Sequence, residues 1–377
     1  MVSIAFTGGG TGGHIYPGLA VVSRLKQLLP VRVFWIGSDK GMDRIIVEKA
    51  GIEFFGVPSG KLRRYFSPRN VLDVFKVAAG FFAARRILKR EKPSLLFSKG
   101  GFVSVPPCAA AATLGIPVFT HESDFSPGLA TRMNSNFAEK IFCAYKESAS
   151  FFHGNAAQKL AVSGNPIRSE FSKADPAKGR EFLGLNPDER VLLVLGGSLG
   201  SREINDLVKE ALPELCRHYT VVHQTGGHQN GATDASEAAP KSGRYKPYAY
   251  FGEEIPHVIA AAELVLCRSG ASTVWEVKTL NKPMVLIPFR GSGTRGDQVE
   301  NARFFQKAGA AVCFTENADG SDAVLSPDRL AKLIADLAED PARREKMGKA
   351  EITVTDAADF IAQEIVRRIY YNKNKEI

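Results

Sequence analysis

The stretch Glu263 to Phe289, ELVLCRSGASTVWEVKTLNKPMVLIPF, constrains the fold more than any other part of the chain. Leu264, Val265, Leu266 and Cys267 form an unbroken apolar run, the pattern of a strand buried on both faces. Ser269-Gly270 breaks that run. Ser272 and Thr273 are candidate caps for the helix that follows, with Glu276 one turn further in. Lys282-Pro283 closes the helix, and the next strand begins at Met284. A helix start at the end of a buried strand turns backbone N–H groups toward an anion, so a phosphate fits here. Past the second strand stand Gly296-Asp297-Gln298 and Asn301. Carboxylates and amides clustered in this way suit sugar hydroxyls, which both donate and accept.

The same plan of strand, glycine turn and helix recurs along the chain. Ser3–Thr7 leads into Gly8-Gly9-Gly10-Thr11-Gly12-Gly13-His14, and a helix begins at Pro17. Further strands are expected at 31–37, 54–57, 94–97, 118–121 and 141–144. Gly164-Asn165-Pro166 reads as a hinge. A second series follows at 190–195, 220–224, 249–251, 264–267, 284–288 and 311–314. Strands alternating with helices predict an α/β chain of two Rossmann-like domains, their parallel sheets facing across a cleft. The expected division is an N-terminal domain over 1–163, a C-terminal domain over 164–355 and a closing helix over 356–377. Residues 226–246 read as loop with some helix.

Composition narrows the class of function. Five cysteines (108, 143, 216, 267, 313) sit among apolar neighbours with no metal-ligand spacing, as reduced core residues do. No apolar run reaches the length of a membrane span, and because the N-terminus enters a strand directly no signal peptide is expected. The net charge is +9, and +8 of it lies between Lys61 and Lys92. Charge this concentrated on one amphipathic segment points away from nucleic acid. Within the segment Leu72, Phe75, Ala79 and Phe82 recur at helical spacing, flanked by Arg85, Arg86 and Lys89. The sequence leaves two uses for that helix: a fully buried core element, or an apolar face with a cationic surround that docks on an anionic bilayer.

Gly8, Gly10 and Gly13 make a GxGxxG pattern, which a dehydrogenase would use for a dinucleotide. The acidic partner that such a site needs is not cleanly placed, since Lys40 and Gly41 already begin a turn beside Asp39. His14 stands at the carboxyl end of a strand, where α/β folds bind ligands, and imidazole is suited to proton transfer near neutral pH. Ser98–Phe102, His121-Glu122-Ser123-Asp124 and Gly196–Ser201 are further polar or glycine turns at strand ends.

Taken in order, GGGTGGHIYPGLA, SKGGFVSVP, HESDFSPGL, GNPIR, GGSLGSREIN, CRSGASTVWE and DQVENA resemble the MurG family across nearly the whole chain. That family comprises the UDP-N-acetylglucosamine transferases of peptidoglycan synthesis. The resemblance implies a GT-B glycosyltransferase fold and a C-terminal helix that returns to the N-terminal domain. It implies inverting transfer of GlcNAc from UDP-GlcNAc to the C4 hydroxyl of MurNAc in undecaprenyl-pyrophosphoryl-MurNAc-pentapeptide (lipid I), giving lipid II. It also implies an anionic membrane surface as partner, a peripheral place on the cytoplasmic face of the plasma membrane, and no cofactor or metal. In that reaction His14 is the base candidate, and Asp124, a departure from the family pattern, either assists it or marks a different acceptor. Donor contacts fall to Thr11, Gly12, Gly13, Arg168, Ser198, Phe251, Gly252, Ala271, Ser272, Thr273, Glu276, Asp297, Gln298 and Asn301. In this assignment Arg168 and the 251–252 backbone meet uracil, Glu276 the ribose, and Gln298 and Asn301 the sugar. The chain departs from the family pattern at Ser123-Asp124, Leu199 and Asp297. A transferase with another lipid acceptor such as diacylglycerol, and a UDP-GlcNAc 2-epimerase of similar fold, are the alternatives.

Overall fold

The computed structural model describes residues 1–41, 43–60, 69–197, 200–227, 243–291, 296–317, 321–352 and 356–373. Side chains at 69–72 and 371–373 lie outside the description. The chain divides into two units, Met1–Ser169 with Thr353–Ile377, and Glu170–Ile352.

The first unit holds seven strands: β1 (Val2–Thr7), β2 (Val31–Ser38), β3 (Glu53–Val57), β4 (Leu95–Ser98), β5 (Val118–Glu122), β6 (Lys140–Cys143) and β7 (Leu160–Val162). They pair in parallel in the order β3-β2-β1-β4-β5-β6-β7. The pleat sorts the side chains to opposite faces. Ile4, Phe6, Val33 and Trp35 enter one core cluster. Ala5, Phe34 and Ile36 enter another. Both faces are therefore apolar and both are covered by helices, which is why these strands read as unbroken hydrophobic runs. On the first face lie Val21, Val22 and Leu25 of the helix Tyr16–Leu28. Ile361, Ala362, Ile365 and Ile369 of the closing helix Ala357–Lys373 join the same cluster. Arg24 bonds Asp359 at 2.5 Å, and Arg368 bonds Glu139 at 2.5 Å, at the margins of that helix.

The helix Arg69–Glu91 covers the second face through Ala84 and Leu88, one turn apart. Gly80 lets it approach closely, since a Cβ there would lie 2.3 Å from the Pro58 carbonyl oxygen. Its opposite face is open: Phe75 is 70% exposed and Phe82 69%. The reading of a wholly buried core helix is thereby corrected. The periodic stripe Phe75, Ala79 and Phe82 faces outward, while Ala84 and Leu88 carry the packing. The Leu72 side chain lies outside the description.

The second unit holds β8 (Val191–Leu195), β9 (Thr220–Gln224), β10 (Tyr245–Tyr248), β11 (Leu264–Cys267), β12 (Met284–Leu286) and β13 (Ala311–Cys313). They run parallel in the order β10-β9-β8-β11-β12-β13. The strand expected at 249–251 falls instead at β10, four residues earlier. β10 is an edge strand, so Pro247, which has no N–H to donate, is tolerated within it. β7 is a second short edge strand that the apolar pattern did not reveal. Of residues 226–246, 228–242 lie outside the description.

Ile365→Ala, in the closing helix, is expected to lower the stability of the first unit by about 2–5 kcal/mol. Hydrogen exchange at the β1 and β2 amides reads this as a loss of protection. Unchanged protection would show that the helix does not share that core.

Candidate functional site

Both sheets reverse their strand order at one point, and in open α/β sheets ligands bind outside the carboxyl ends of the strands there. In the first unit the reversal lies between β1 and β4, so the turns after these two strands are neighbours. They meet closely. A Cβ on Gly101 would stand 2.6 Å from the Gly9 carbonyl oxygen and 3.1 Å from His14 Cδ2. A Cβ on Gly10 would stand 2.7 Å from the Phe102 ring. Gly100 and Gly101 hold φ of 83° and 78°, a region that side chains disfavour. Glycine is thus required on both turns, and the His14 imidazole lies against Gly101. The segment Gly12–His14 is a short 3-10 turn, and the helix Tyr16–Leu28 follows with Pro17 in its first turn.

A residue that the sequence reading passed over closes this turn. Asp43, just after β2, accepts from the Gly10 N–H at 3.0 Å and from the Ser38 N–H at 3.2 Å. Burial pushes its carboxyl above the usual range, and the two N–H bonds oppose that shift. A carboxylate bonded into the glycine turn repels a dinucleotide diphosphate, so the geometry disfavours a dehydrogenase.

The turn after β5 supplies further charge. Glu122 accepts from the Asp124 N–H at 3.1 Å and the Gly128 N–H at 2.9 Å, which shapes the loop 122–128. Ser123 donates to Asn165 Oδ1 at 2.5 Å, and His121 Nε2 bonds the Gly164 carbonyl at 3.0 Å. His121 is buried, and burial, with Lys99 adding to it, holds its pKa well below the ordinary imidazole value. Lys99, also unremarked in the sequence, follows β4 and is only 2% exposed. Burial pushes its ammonium down to about 8, with Glu122 and Asp124 working the other way.

In the second unit the reversal lies between β8 and β11. Beyond β11 the helix Ala271–Thr279 starts at Gly270 with no side-chain cap. This corrects the expected capping by Ser272 and Thr273. Both lie inside the first turn, where their backbone N–H groups, with that of Ala271, belong to the set that a helix cannot satisfy internally. Such a start suits an anion by dipole and by donors. Beyond β8, Gly197 accepts through its carbonyl from Gln224 Nε2 at 2.9 Å. The same Gln224 accepts from the Phe251 N–H at 3.1 Å. One amide therefore fixes the glycine turn and the 251–252 segment together. Phe251 packs with Tyr248 (ring centroids 4.8 Å apart) and Phe182 (6.2 Å).

The donor residues named from the sequence fall into two groups. Thr11, Gly12, Gly13 and Arg168 lie in the first unit, where the Arg168 guanidinium covers the Tyr16 ring at 4.9 Å. Phe251, Gly252, Ala271, Ser272, Thr273, Glu276, Asp297, Gln298 and Asn301 lie in the second. Ser198, like Leu199, lies outside the described residues. Asn301 is fully buried and donates to the Ser269 carbonyl at 3.0 Å, a bond that braces the turn. The Phe251 and Gly252 N–H groups are already bonded, the latter to Glu254 at 3.1 Å. Only their carbonyls remain for a base. Gln298 is half-buried; its carbonyl accepts from Ser269 Oγ at 2.6 Å and its side-chain oxygen from the Phe289 N–H at 3.0 Å. Among the described residues no group of His, Cys, Asp and Glu is placed to hold a metal ion.

A cavity of about 390 Å³ lies elsewhere, at the opposite ends of β5, β6 and β7, under the closing helix. Several of its charged walls are paired: Lys140 and Arg367 with Glu364, and Arg368 with Glu139.

Two Rossmann sheets, each with a glycine turn at its reversal point, make up the two-domain plan of the GT-B glycosyltransferases. The profile of the glycosyltransferase family 28 N-terminal domain matches residues 4–143, and that of the C-terminal domain matches 191–364. A relative from Treponema denticola, named UDP-N-acetylglucosamine–N-acetylmuramyl-(pentapeptide) pyrophosphoryl-undecaprenol N-acetylglucosamine transferase, is 48% identical over 351 residues, 89% of this chain and 88% of its own. The crystal structure of Acinetobacter baumannii MurG superposes with a TM-score of 0.73 at 24% identity, covering 97% of this chain and all of that one. A UDP-GlcNAc 2-epimerase from Neisseria meningitidis, bound to UDP-GlcNAc, reaches 0.66 at 13% identity over 98% of this chain and 100% of its own. That likeness is one of fold alone. The chain belongs to the MurG family of family 28 glycosyltransferases.

Gly101→Ala is expected to force the two turns of the first unit apart, since its Cβ meets backbone that cannot yield. A loss of on the order of 10²-fold in kcat/KM for sugar transfer, with UDP affinity retained, is the result to look for. An active Gly101→Ala enzyme would mean that this contact does not shape the site.

Proposed function

We propose that the chain transfers GlcNAc from UDP-GlcNAc to the C4 hydroxyl of MurNAc in lipid I, with inversion, giving lipid II. The observation that carries the mechanism is the division of chemistry between the two reversal points. The second unit offers an uncapped helix start, Gly270 to Thr273, to an anion. The first offers His14 against a glycine turn, close to the loop shaped by Glu122.

In this reading the donor diphosphate lies on the N–H groups of Ala271, Ser272 and Thr273. Glu276, one turn further on, meets the ribose, and the carbonyls at Phe251 and Gly252 meet uracil. Asp297 and Gln298 take the sugar hydroxyls. The acceptor oxygen attacks the anomeric carbon from the face opposite UDP. As that bond forms, the bond to the diphosphate oxygen breaks and its electron pair leaves with UDP. His14 takes the proton from the acceptor hydroxyl, and Asp124 is assigned to stabilise the imidazolium. The helix start receives the charge that develops on the departing diphosphate.

The acceptor is a lipid, and the exposed face of the helix Arg69–Glu91 supports a membrane-docking role. Phe75, Ala79 and Phe82 continue into Arg86 and Lys89 along one helical stripe, with Arg85 alongside. No helix among the described residues is long and apolar enough to cross a membrane. The chain would then act as a peripheral protein on the cytoplasmic face of the plasma membrane.

The test is transfer from labelled UDP-GlcNAc to a short-chain lipid I analogue, with diacylglycerol and donor-only reactions in parallel. Label in lipid II supports the reading. Label in diacylglycerol, or 2-epimerised donor without transfer, overturns it. His14→Ala should lower turnover by about 10²-fold or more while UDP still binds; undiminished turnover would remove His14 as base. Neutralising Arg85, Arg86 and Lys89 should weaken binding to anionic vesicles by about 1 kcal/mol for each charge. Binding that stays unchanged in high salt would contradict electrostatic docking.

A further inference from the structure

Gln224 is the last residue of β9 and is only 5% exposed. Its side-chain amide reaches in two directions. Nε2 donates to the Gly197 carbonyl, beyond β8, at 2.9 Å, and Oε1 accepts from the Phe251 N–H, beyond β10, at 3.1 Å. Both partners are backbone groups with a single role: a carbonyl accepts and an N–H donates. Together they fix which end of the amide points which way. In the sheet β9 lies between β8 and β10, so this side chain spans the two strand ends that flank its own. Backbone contacts tie the same three ends. The Gly197 carbonyl also accepts from the Gly200 N–H at 3.0 Å, the Thr225 N–H donates to the Tyr248 carbonyl at 2.9 Å, and the Gly226 N–H donates to the Ala249 carbonyl at 3.0 Å. A Cβ on Gly200 would stand 2.2 Å from the Thr225 carbonyl oxygen, so the turns after β8 and β9 touch where a side chain is missing.

Each end of the Gln224 amide borders a different part of the proposed donor site. Phe251 leads into the carbonyls assigned to uracil. On the other side stands Ser201, next to Gly200, whose Oγ accepts from Arg268 Nη2 at 2.7 Å, while Arg268 Nη1 donates to the Ile287 carbonyl at 3.0 Å. Arg268 directly follows β11 and lies two residues before Gly270, where the helix assigned to the diphosphate starts. Hydrogen bonds and adjoining backbone thus run from Phe251 through Gln224, Gly197, Gly200 and Ser201 to Arg268 and that helix. Without the amide, the N–H of Phe251, a residue only 2% exposed, has lost its acceptor. A buried donor left unpaired costs more than the bond was worth, so the segment shifts to find another partner. We propose that Gln224 is a positioning residue for the donor nucleotide: its amide holds the base-facing segment at Phe251 and the Gly197 turn at one fixed separation, so that nucleobase and diphosphate are bound as a unit. The inference rests on the UDP-sugar reading given above.

The experiment measures binding of UDP-GlcNAc and of uridine to the full-length protein, to Gln224→Leu and to Gln224→Glu by calorimetry from pH 5 to pH 8, with hydrogen exchange at the Phe251 amide alongside. The phosphates of UDP-GlcNAc do not titrate in this range, and each variant is compared with the wild type at the same pH. Gln224→Leu loses both bonds, so UDP-GlcNAc affinity should fall by about tenfold or more at every pH and Phe251 should lose protection. At pH 8 Gln224→Glu keeps an acceptor for the Phe251 N–H but turns a second acceptor toward the Gly197 carbonyl. Phe251 should then stay protected, uridine should bind within about twofold of wild type, and UDP-GlcNAc should bind about tenfold more weakly. Burial raises the pKa of a carboxyl, and the protonated acid carries an O–H that donates to Gly197 as the amide does. The UDP-GlcNAc deficit of Gln224→Glu should therefore close as the pH falls to 5, a rescue that a general loss of structure does not give. Wild-type UDP-GlcNAc affinity in Gln224→Leu, or undiminished Phe251 protection there, overturns the proposal. So does a Gln224→Glu deficit that is absent at pH 8, equal for uridine and UDP-GlcNAc, or unchanged at pH 5. If Gln224→Leu fails to fold, the pH series of Gln224→Glu decides alone. A wild type that does not bind UDP-GlcNAc overturns the donor reading instead, and the Phe251 exchange then decides the Gln224 bridge separately.

Discussion

The contact between position 101 and the Gly9 carbonyl is the constraint on which the first unit's site depends. A Cβ there would come within 2.6 Å of a backbone oxygen, so the turns after β1 and β4 can approach only where side chains are missing. The parallel sheet brings these turns together because β1 and β4 are neighbours at the point where strand order reverses. Glycine then lets backbone, instead of side chains, line the gap, and His14 is carried into it on a short turn. The second unit repeats the scheme by other means: Gln224 ties the Gly197 turn to Phe251, and the helix after β11 starts without a cap.

The two reversal points differ in charge, and in the proposed mechanism each takes a separate task. In the second unit the helix start supplies donors and a positive partial charge, which suits a leaving diphosphate. The first carries carboxylates: Asp43 bonds the Gly10 N–H, and Glu122 organises the neighbouring loop. An anion gains less from that glycine turn than its glycine pattern alone suggests. A proton acceptor and a hydroxyl substrate fit it better.

Much of this was legible in the sequence, because buried parallel strands leave unbroken apolar runs. Val191–Leu195 and Leu264–Cys267 are such runs, and each stops at a turn where glycine is required or tolerated. Edge strands were harder. β10 contains Pro247 and half-exposed residues, and β7 is three residues long, so neither carries the core pattern. Asn301 looked like a ligand residue because its amide suits a hydroxyl, yet that amide bonds the Ser269 carbonyl. A polar side chain in sequence does not say which partner it finds. Asp43 was missed for the opposite reason. Its role comes from contacts across the fold, from a helix start to a glycine turn, and no local spacing encodes them. The stripe Phe75, Ala79 and Phe82 was visible as a period, but only the packing of Ala84 and Leu88 decides which way that stripe faces.

The measurement that bears most directly on the division between the two reversal points is a crystal structure of the chain with UDP-GlcNAc bound. The account predicts diphosphate oxygens within hydrogen-bond distance of the backbone N–H groups of Ala271, Ser272 and Thr273, with the Asp43 carboxylate still bonded to Gly10. A diphosphate seated on the Gly8–Gly13 turn, with Asp43 displaced from it, would contradict the account.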